Sequence, residues 1–409
     1  MKSASTPAPL AKTPRLVSLD ALRGFDMFWI LGASGVAQAL GEVSGTTTAR
    51  FFAEQLNHCA WAGFTFFDLI FPLFIFIAGA SSAFSLTRII EQHGRGAALK
   101  RVLARGVLLF AIGIFYNGGF TNPWPDMRLL GVLQRIALAY IATGLLFCLI
   151  KPRALAAVAV GLLVGYWALL TFVPIRDIQL EENALVARLG TPKPTLEQVR
   201  AAFEATTARV TGRYEPGFNL SNHLDFEYLP GRKYNTYWDP EGYLSTLPAI
   251  ATCLLGVFAG LLMRRIDLDD SRKLRALLIG GILFLALGWL WHLQFPVVKR
   301  IWTSSFVLVA GGYSLLLLAA FYYAIDVRKW RAWCQPFIWI GMNPITLYIV
   351  NNVISFRRLA SRFAGGNINA WLNAHIAAGA GEGFAALVGL ALIFVTARFL
   401  YRRQIFLRV

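Results

Sequence analysis

Apolar runs of about 20 residues recur along this chain, and nothing else in it limits the possible folds so strongly. Such a run is the length of helix that crosses the hydrocarbon core of a bilayer. Candidate spans fall at roughly 21–41, 63–86, 103–119, 129–150, 154–174, 243–263, 275–294, 303–325, 335–355 and 383–401. The expected architecture is an all-α integral membrane protein, a polytopic bundle of about ten helices. Composition agrees: 56% of the 409 residues are hydrophobic and only 15% are charged, with a mean hydropathy of +0.55, which a soluble domain of this length would not carry. The formal charge of +17 is spread over short inter-helix loops, where Lys and Arg orient helices. It therefore points to a membrane and not to nucleic acid.

Loop charge supplies an orientation. Lys2, Lys12 and Arg15; Arg88, Arg95, Lys100, Arg101 and Arg105; Arg264, Arg265, Arg272, Lys273 and Arg275; and Arg402, Arg403 and Arg408 fall on one side. By the positive-inside rule that side is cytoplasmic, and both termini lie there. The opposite loops also hold cations, among them Lys299, Arg300, Arg357 and Arg358, so the bias is not clean. The first apolar run begins with Asp20 and Arg23 and lacks a small-residue cleavage site, so it reads as a retained helix. One lipid-embedded domain over 1–409 is expected, with residues 175–242 forming a polar loop or cap on the outer side. Thr195 to Arg209 suits a short surface helix. The stretch from Ser221 through Asp239 and Glu241 is rich in aromatic and hydrogen-bonding groups, which suits either a cap for sugars or an ordered loop.

Ionisable residues inside such helices need a reason, because each unpaired charge costs about 2.5–3.5 kcal/mol at the bilayer centre on insertion scales. Asp20 and Arg23, three apart on one face, read as a structural ion pair. The segment from Asn57 to Gly79, taken as one helix, puts His58, Trp61, Thr65, Asp68 and Pro72 within about one quadrant. On a straight helix Asp68 would lie about 15 Å below His58, too far to pair with it. Arg135, beside Gln134 on the fourth span, reaches a similar depth, so an Asp68–Arg135 ion pair is expected. Cys59 beside His58 would offer a thiol, but adjacent helical side chains do not face each other. On the ninth span Asn343-Pro344 breaks the backbone ladder, tolerable only inside protein or beside water. Lys299 and Trp302 sit at the outer rim of the eighth span, Trp302 as an ordinary aromatic-belt anchor by default. The four cysteines have neither metal-type nor disulfide-type spacing, and Walker, HExxH, Gly-x-Ser-x-Gly and paired CxxC motifs are missing. On the residues alone, a sugar transporter and a membrane enzyme both remain open.

Several strings together carry a resemblance: Arg15 to Gly24, His58 to Gly79, Gly131 to Ile136, Asp239 to Pro248, Lys299 to Ser304 and Gly341-Met-Asn343. In this order, over roughly residues 15 to 400, the chain resembles the heparan-alpha-glucosaminide N-acetyltransferase family. It looks most like bacterial relatives in the wider transmembrane acyltransferase group. His-x-x-Trp-x-Gly followed by Asp-Leu-x-Phe-Pro is the specific part. The resemblance implies transfer of acetyl from cytoplasmic acetyl-CoA, without a metal, to an amino sugar or glycan across a bacterial inner membrane. It makes His58 the catalytic residue, as general base or acyl carrier, supported by Asp68, Trp61, Arg135, Gln134 and Asn343. Lys299, Trp302, Asp239 and Glu241 would bind substrate, and a homodimer is compatible with this reading. The animal enzymes carry an Asn on the first helix thought to assist the acyl carbonyl; here that region reads Gly32-Ala33-Ser34, with Ser34 as the available substitute.

Overall fold

The computed structural model describes residues 16–44 and 46–406. Lys2, Lys12, Arg15 and Arg408, four of the cations used for orientation, lie outside the described residues. In chain order α1 (Val17–Phe28) passes through a π-turn (Trp29–Ala33) into α2 (Ser34–Ser44), followed by α3 (Thr47–Gln55), α4 (Phe66–Tyr116), α5 (Val132–Leu149) and α6 (Pro152–Phe172). The 175–242 connection carries β1 (Ile175–Arg176), α7 (Glu182–Leu189), α8 (Leu196–Ala205), β2 (Arg209–Val210) and α9 (Leu220–Tyr228). Then come α10 (Thr246–Arg264), α11 (Asp270–His292), α12 (Ser304–Phe321), α13 (Gln335–Gly341), α14 (Pro344–Ile354), α15 (Phe356–Ala364), α16 (Asn367–His375) and α17 (Ala380–Arg402).

The protein is a multi-pass, all-α membrane protein. Among the described residues seven helices are long and apolar enough to cross a bilayer, or eight if the pair α13 and α14, bent by 78°, is one span. The expected spans 63–86 and 103–119 lie on the single 51-residue α4, which breaks at Gly94 (φ 81). Leu86 before that break and Ala98 and Val102 after it share one cluster with Tyr140 and Cys148. The expected span 21–41 is divided by the π-turn. Asp20 and Arg23 do pair, at 3.3 Å, and Arg23 also donates to Gly341 O and Ser81 Oγ. That cation thereby ties α1 to α13 and α4.

Helices attract each other in lipid through close packing more than through a hydrophobic drive, so small residues mark the contacts. At Gly79 a Cβ would stand 2.0 Å from Cys253 O, and at Gly256 one would stand 1.9 Å from Phe76 O. Glycine alone lets α4 and α10 approach so closely.

The 175–242 connection has its own core, in which Trp238, Leu180, Leu185, Val199, Phe203 and Phe226 are buried. The expected surface helix is α8, started by a Thr195/Gln198 capping box. Two buried titratable groups on α9 oppose each other. Burial pulls the His223 imidazole from 6.5 down to about 4, against its hydrogen bond to Ile178 O. Burial pushes the Asp225 carboxyl from 3.8 up to about 7, against the N–H of Tyr243. The stability owed to neutral His223 is complete above its unfolded pKa and is lost as pH falls through about 4; that owed to protonated Asp225 is complete below its unfolded pKa and is lost as pH rises through about 7. Between those limits the two slopes cancel. His223→Gln should therefore leave an α9 whose stability falls as pH rises from 4 towards 7, and Asp225→Asn one whose stability rises from 4 to 6.5. Each slope should approach about 1.4 kcal/mol per pH unit. Hydrogen exchange of the α9 amides, corrected for its intrinsic pH dependence, reads both signs.

Candidate active site

The segment before α4 is not helical. Residues 57–65 form a loop, and α4 starts at Phe66. Thr65 and Asp68 stand in the capping-box relation, in which the third helical residue reaches back to the cap. Asp68 Oδ2 accepts from Thr65 N at 3.2 Å and from Cys59 N at 3.1 Å. The Thr65 hydroxyl donates to Asn57 O at 2.6 Å and lies 3.0 Å from Asp68 Oδ2. Gly63, at φ 128, lets the loop turn, and a Cβ there would meet Cys59 Sγ at 2.8 Å. The loop then pairs with a second one: Gly63 N donates to Val297 O, and Ala62 bridges Val298.

This folding-back corrects the expectation that His58 and Asp68 cannot meet. His58 Nδ1 lies 2.9 Å from Asp68 Oδ1. Lys299 Nζ, brought by the 292–304 connection, lies 2.9 Å from the same Nδ1 and 3.3 Å from Asp68 Oδ1. Asp68 is buried, whereas half of the His58 side chain is exposed. Nδ1 carries either a proton or a lone pair, so only one of the two contacts is a hydrogen bond to it at a time. Burial pulls the Lys299 ammonium below its usual range, against the attraction of Asp68. The turn that delivers Lys299 is strained. Trp302 takes φ 52, rare for a bulky side chain and costing about 1–3 kcal/mol. Its indole is fully buried and donates to Thr252 Oγ1 at 3.1 Å. Trp302 is therefore a buried wall of the site and not an aromatic-belt anchor.

The expected Asp68–Arg135 ion pair does not form. Arg135 Nη2 donates instead to Pro240 O at 2.7 Å and to Ser245 Oγ, with Trp302 stacked 5.0 Å from the guanidinium. Asp239 and Glu241 are occupied by Arg128: Nε to Asp239 Oδ2 at 2.9 Å, and Nη2 to Asp239 Oδ1 at 2.8 Å and Glu241 Oε2 at 2.7 Å. Tyr234 covers that guanidinium at 5.1 Å.

A cavity of about 360 Å³ opens beside His58. Trp61, Asp68, Arg128, Arg135, Glu241, Lys299 and Trp302 line its polar part, and Met27, Ile30, Phe74, Pro344 and Ile345 its apolar part. Trp61 is pinned by an indole N–H to Tyr214 O at 2.8 Å. Gln134, Asn343 and Asp239 do not line it. Gln134 packs where Cβ atoms on Gly113 and Gly131 would lie, Asn343 donates to Ile405 O, and Asp239 holds Arg128. Ser34 donates to Trp29 O, so its hydroxyl proton is engaged within its own helix. The sequence reading did not assign Arg300, Tyr234 or Tyr348 to the site, though all three line the cavity. Arg300 adjoins Lys299, and Tyr348 lies one helical turn beyond Pro344. Among the described residues no group of three or more metal-ligating side chains occurs.

Two curated proteins, both named heparan-alpha-glucosaminide N-acetyltransferase, are similar to this chain. The human protein is 27% identical over 377 residues, covering 84% of this chain and 53% of its own length. The mouse protein is 26% identical over 334 residues, covering 73% of this chain and 49% of its own. The family resemblance holds. The chain spans about half the length of these relatives, and no family model matches it.

Double-mutant cycles on thermal stability separate the observed contact from the expected one. Asp68→Asn with Lys299→Met should couple by about 0.5–3 kcal/mol, as contacting groups do. Asp68→Asn with Arg135→Gln should couple by only about 0.5 kcal/mol or less.

Proposed function

We propose that this protein is a transmembrane acyltransferase that moves an acetyl group from acetyl-CoA, loaded from the cytoplasm, to the amine of an amino sugar or glycan on the other face. The observation that supports it most is the Asp68–His58 pair on the wall of the cavity. With Nδ1–H donated to Asp68, the imidazole keeps Nε2 as an acceptor, the state a general base needs. Asp68 fixes that tautomer and stabilises the imidazolium that forms on proton uptake. Lys299 supplies the opposite tautomer: when its ammonium donates to Nδ1, the proton sits on Nε2, ready for the departing sulfur. A base that takes the amine proton and returns one to the thiolate is what acyl transfer from a thioester requires.

The lining of the cavity suits two substrates. Its apolar part, around Met27, Ile30 and Phe74, suits the uncharged arm of the thioester. Its polar part, with Lys299, Arg300, Glu241 and the Tyr234 ring, suits a hydroxyl-rich acceptor. In this reading residues 175–242 form the cap on the periplasmic side of one membrane domain. The protein sits in the bacterial inner membrane with both termini cytoplasmic. O-acetylation of a surface polysaccharide differs only in the product linkage. A transporter built on repeats would pair broken helices between its halves; among the described residues one apolar helix pair, α13 with α14, is bent at a break, by 78°.

His58→Ala should keep the wild-type thermal transition, because half of this side chain is exposed. It should lower transfer of labelled acetyl to glucosamine by about 10²–10⁴-fold. Transfer at the wild-type rate by a folded variant overturns the proposal, as does flux of unmodified sugar into proteoliposomes lacking acetyl-CoA.

A further inference from the structure

Of the cations that line the cavity, Arg128 is paired with Asp239 and Glu241 and Lys299 with Asp68. Arg300 is exposed. Arg135 differs from all three: it is 1% exposed, and among the described residues no carboxylate lies within ion-pair distance of it. Its two hydrogen bonds both use Nη2. The Nε–H is buried without a partner, and Nη1 makes no hydrogen bond among the described residues. A buried guanidinium that hydrogen-bonds through only one of its three nitrogens is costly in a dry site. Such an orphan in a native structure calls for an explanation.

The geometry points to Arg135 as the group that stabilises the acyl carbonyl oxygen when that oxygen becomes an oxyanion. The guanidinium lies on the same cavity as His58. Pro240 O, Ser245 Oγ and the Trp302 face fix its position, so little reorganisation is needed as charge develops. Phe71, Leu133 and Ile136 line the same cavity and keep the local dielectric low, which strengthens the interaction. A thioester carbonyl suits this setting better than a phosphate. It is neutral on arrival and becomes charged only in the step that needs help, whereas a phosphate would have to shed its water first.

The step balances within the cavity. The amine lone pair forms a bond to the acyl carbon, and the carbonyl π pair moves onto oxygen beside Arg135. Collapse re-forms C=O and breaks the C–S bond, with the electron pair leaving on sulfur. The proton lost by nitrogen passes to His58 and then to the thiolate, giving amide and thiol.

This inference rests on the acyltransferase reading. Its test uses the full-length protein in nanodiscs with acetyl-CoA, glucosamine as acceptor, water as default acceptor, and CoA alone as a binding probe. Arg135→Gln should lower kcat by about 10²–10³-fold, leaving KM for acetyl-CoA and Kd for CoA within about threefold. Arg135→Lys keeps the charge but not the two-edged fork, and should lose about tenfold in kcat. A folded Arg135→Gln with kcat near wild type overturns the inference, as does a loss confined to KM or to CoA affinity. If Arg135→Gln does not fold, Arg135→Lys decides, and unchanged kcat in that variant overturns it. A wild type that neither transfers acetyl nor hydrolyses the thioester removes both readings. Wild-type turnover with indifferent Arg135 variants removes this one alone.

Discussion

The site depends on one buried carboxylate. Asp68 lies in the first turn of α4, receives the N–H groups of Cys59 and Thr65, and presents its other oxygen to His58 and Lys299. An anion at a helix N-terminus is favoured by the unpaired N–H groups and the dipole there. Those donors help to make a charge tolerable where burial alone would expel it. The same hydrogen bonds fold residues 57–65 back over the helix end, and this is what sets the imidazole on the cavity wall. Local folding and the chemistry of the site therefore use the same atoms. Replacing the carboxylate with a neutral group would loosen the loop and release the histidine together.

Hydropathy located the seven or eight long apolar helices among its ten expected spans because lipid demands uninterrupted helices with internally satisfied backbones. The ion pair of Asp20 with Arg23 was legible for a related reason: it is a three-residue spacing within one helix. What failed was the assumption that helical geometry continues upstream of Asp68. The signal against it was in view, since Thr65-x-x-Asp68 is a capping box and Gly63 lies two residues before its cap. Aromatic residues such as Trp61 and Phe64 hid it by making the loop read as apolar helix. Partners distant in sequence were not legible. Nothing near Arg135 indicates Pro240 or Ser245, and nothing near Arg128 indicates Asp239, about 110 residues away. An electrostatic guess made from depth alone paired Asp68 with the wrong cation.

Close helix contacts hold these distant partners in register. Where α1 meets α13, a Cβ on Gly24 would stand 1.7 Å from Phe337 O, and one on Gly341 would stand 1.9 Å from Asp20 O. Contacts of that kind allow little sliding, since a small shift brings backbone against backbone. The α4–α10 contact lies on the helix whose first turn holds Asp68 and on the one that carries Thr252, the acceptor for Trp302. Trp302 closes the turn in which Lys299 sits, its N–H bonded to Lys299 O. Packing at the centre of the bundle is thus connected through one indole to the cation beside His58.

Two irregular stretches of the membrane helices, and the proline inside α4, fall on elements that line the cavity. The π-turn at Trp29–Ala33 contributes Ile30, the stretch of α4 around Pro72 contributes Ile70, Phe71 and Phe74, and the break before α14 contributes Pro344 and Ile345. In hydrocarbon a freed carbonyl or N–H is affordable only against protein or water. A π-turn or proline break facing lipid would be selected against on stability alone. The π-turn and the break before α14 both border this one cavity, where freed backbone groups can meet protein or water. The transfer proposed above, with substrates arriving from opposite faces, would need such a place, where helices part without exposing their backbones to lipid.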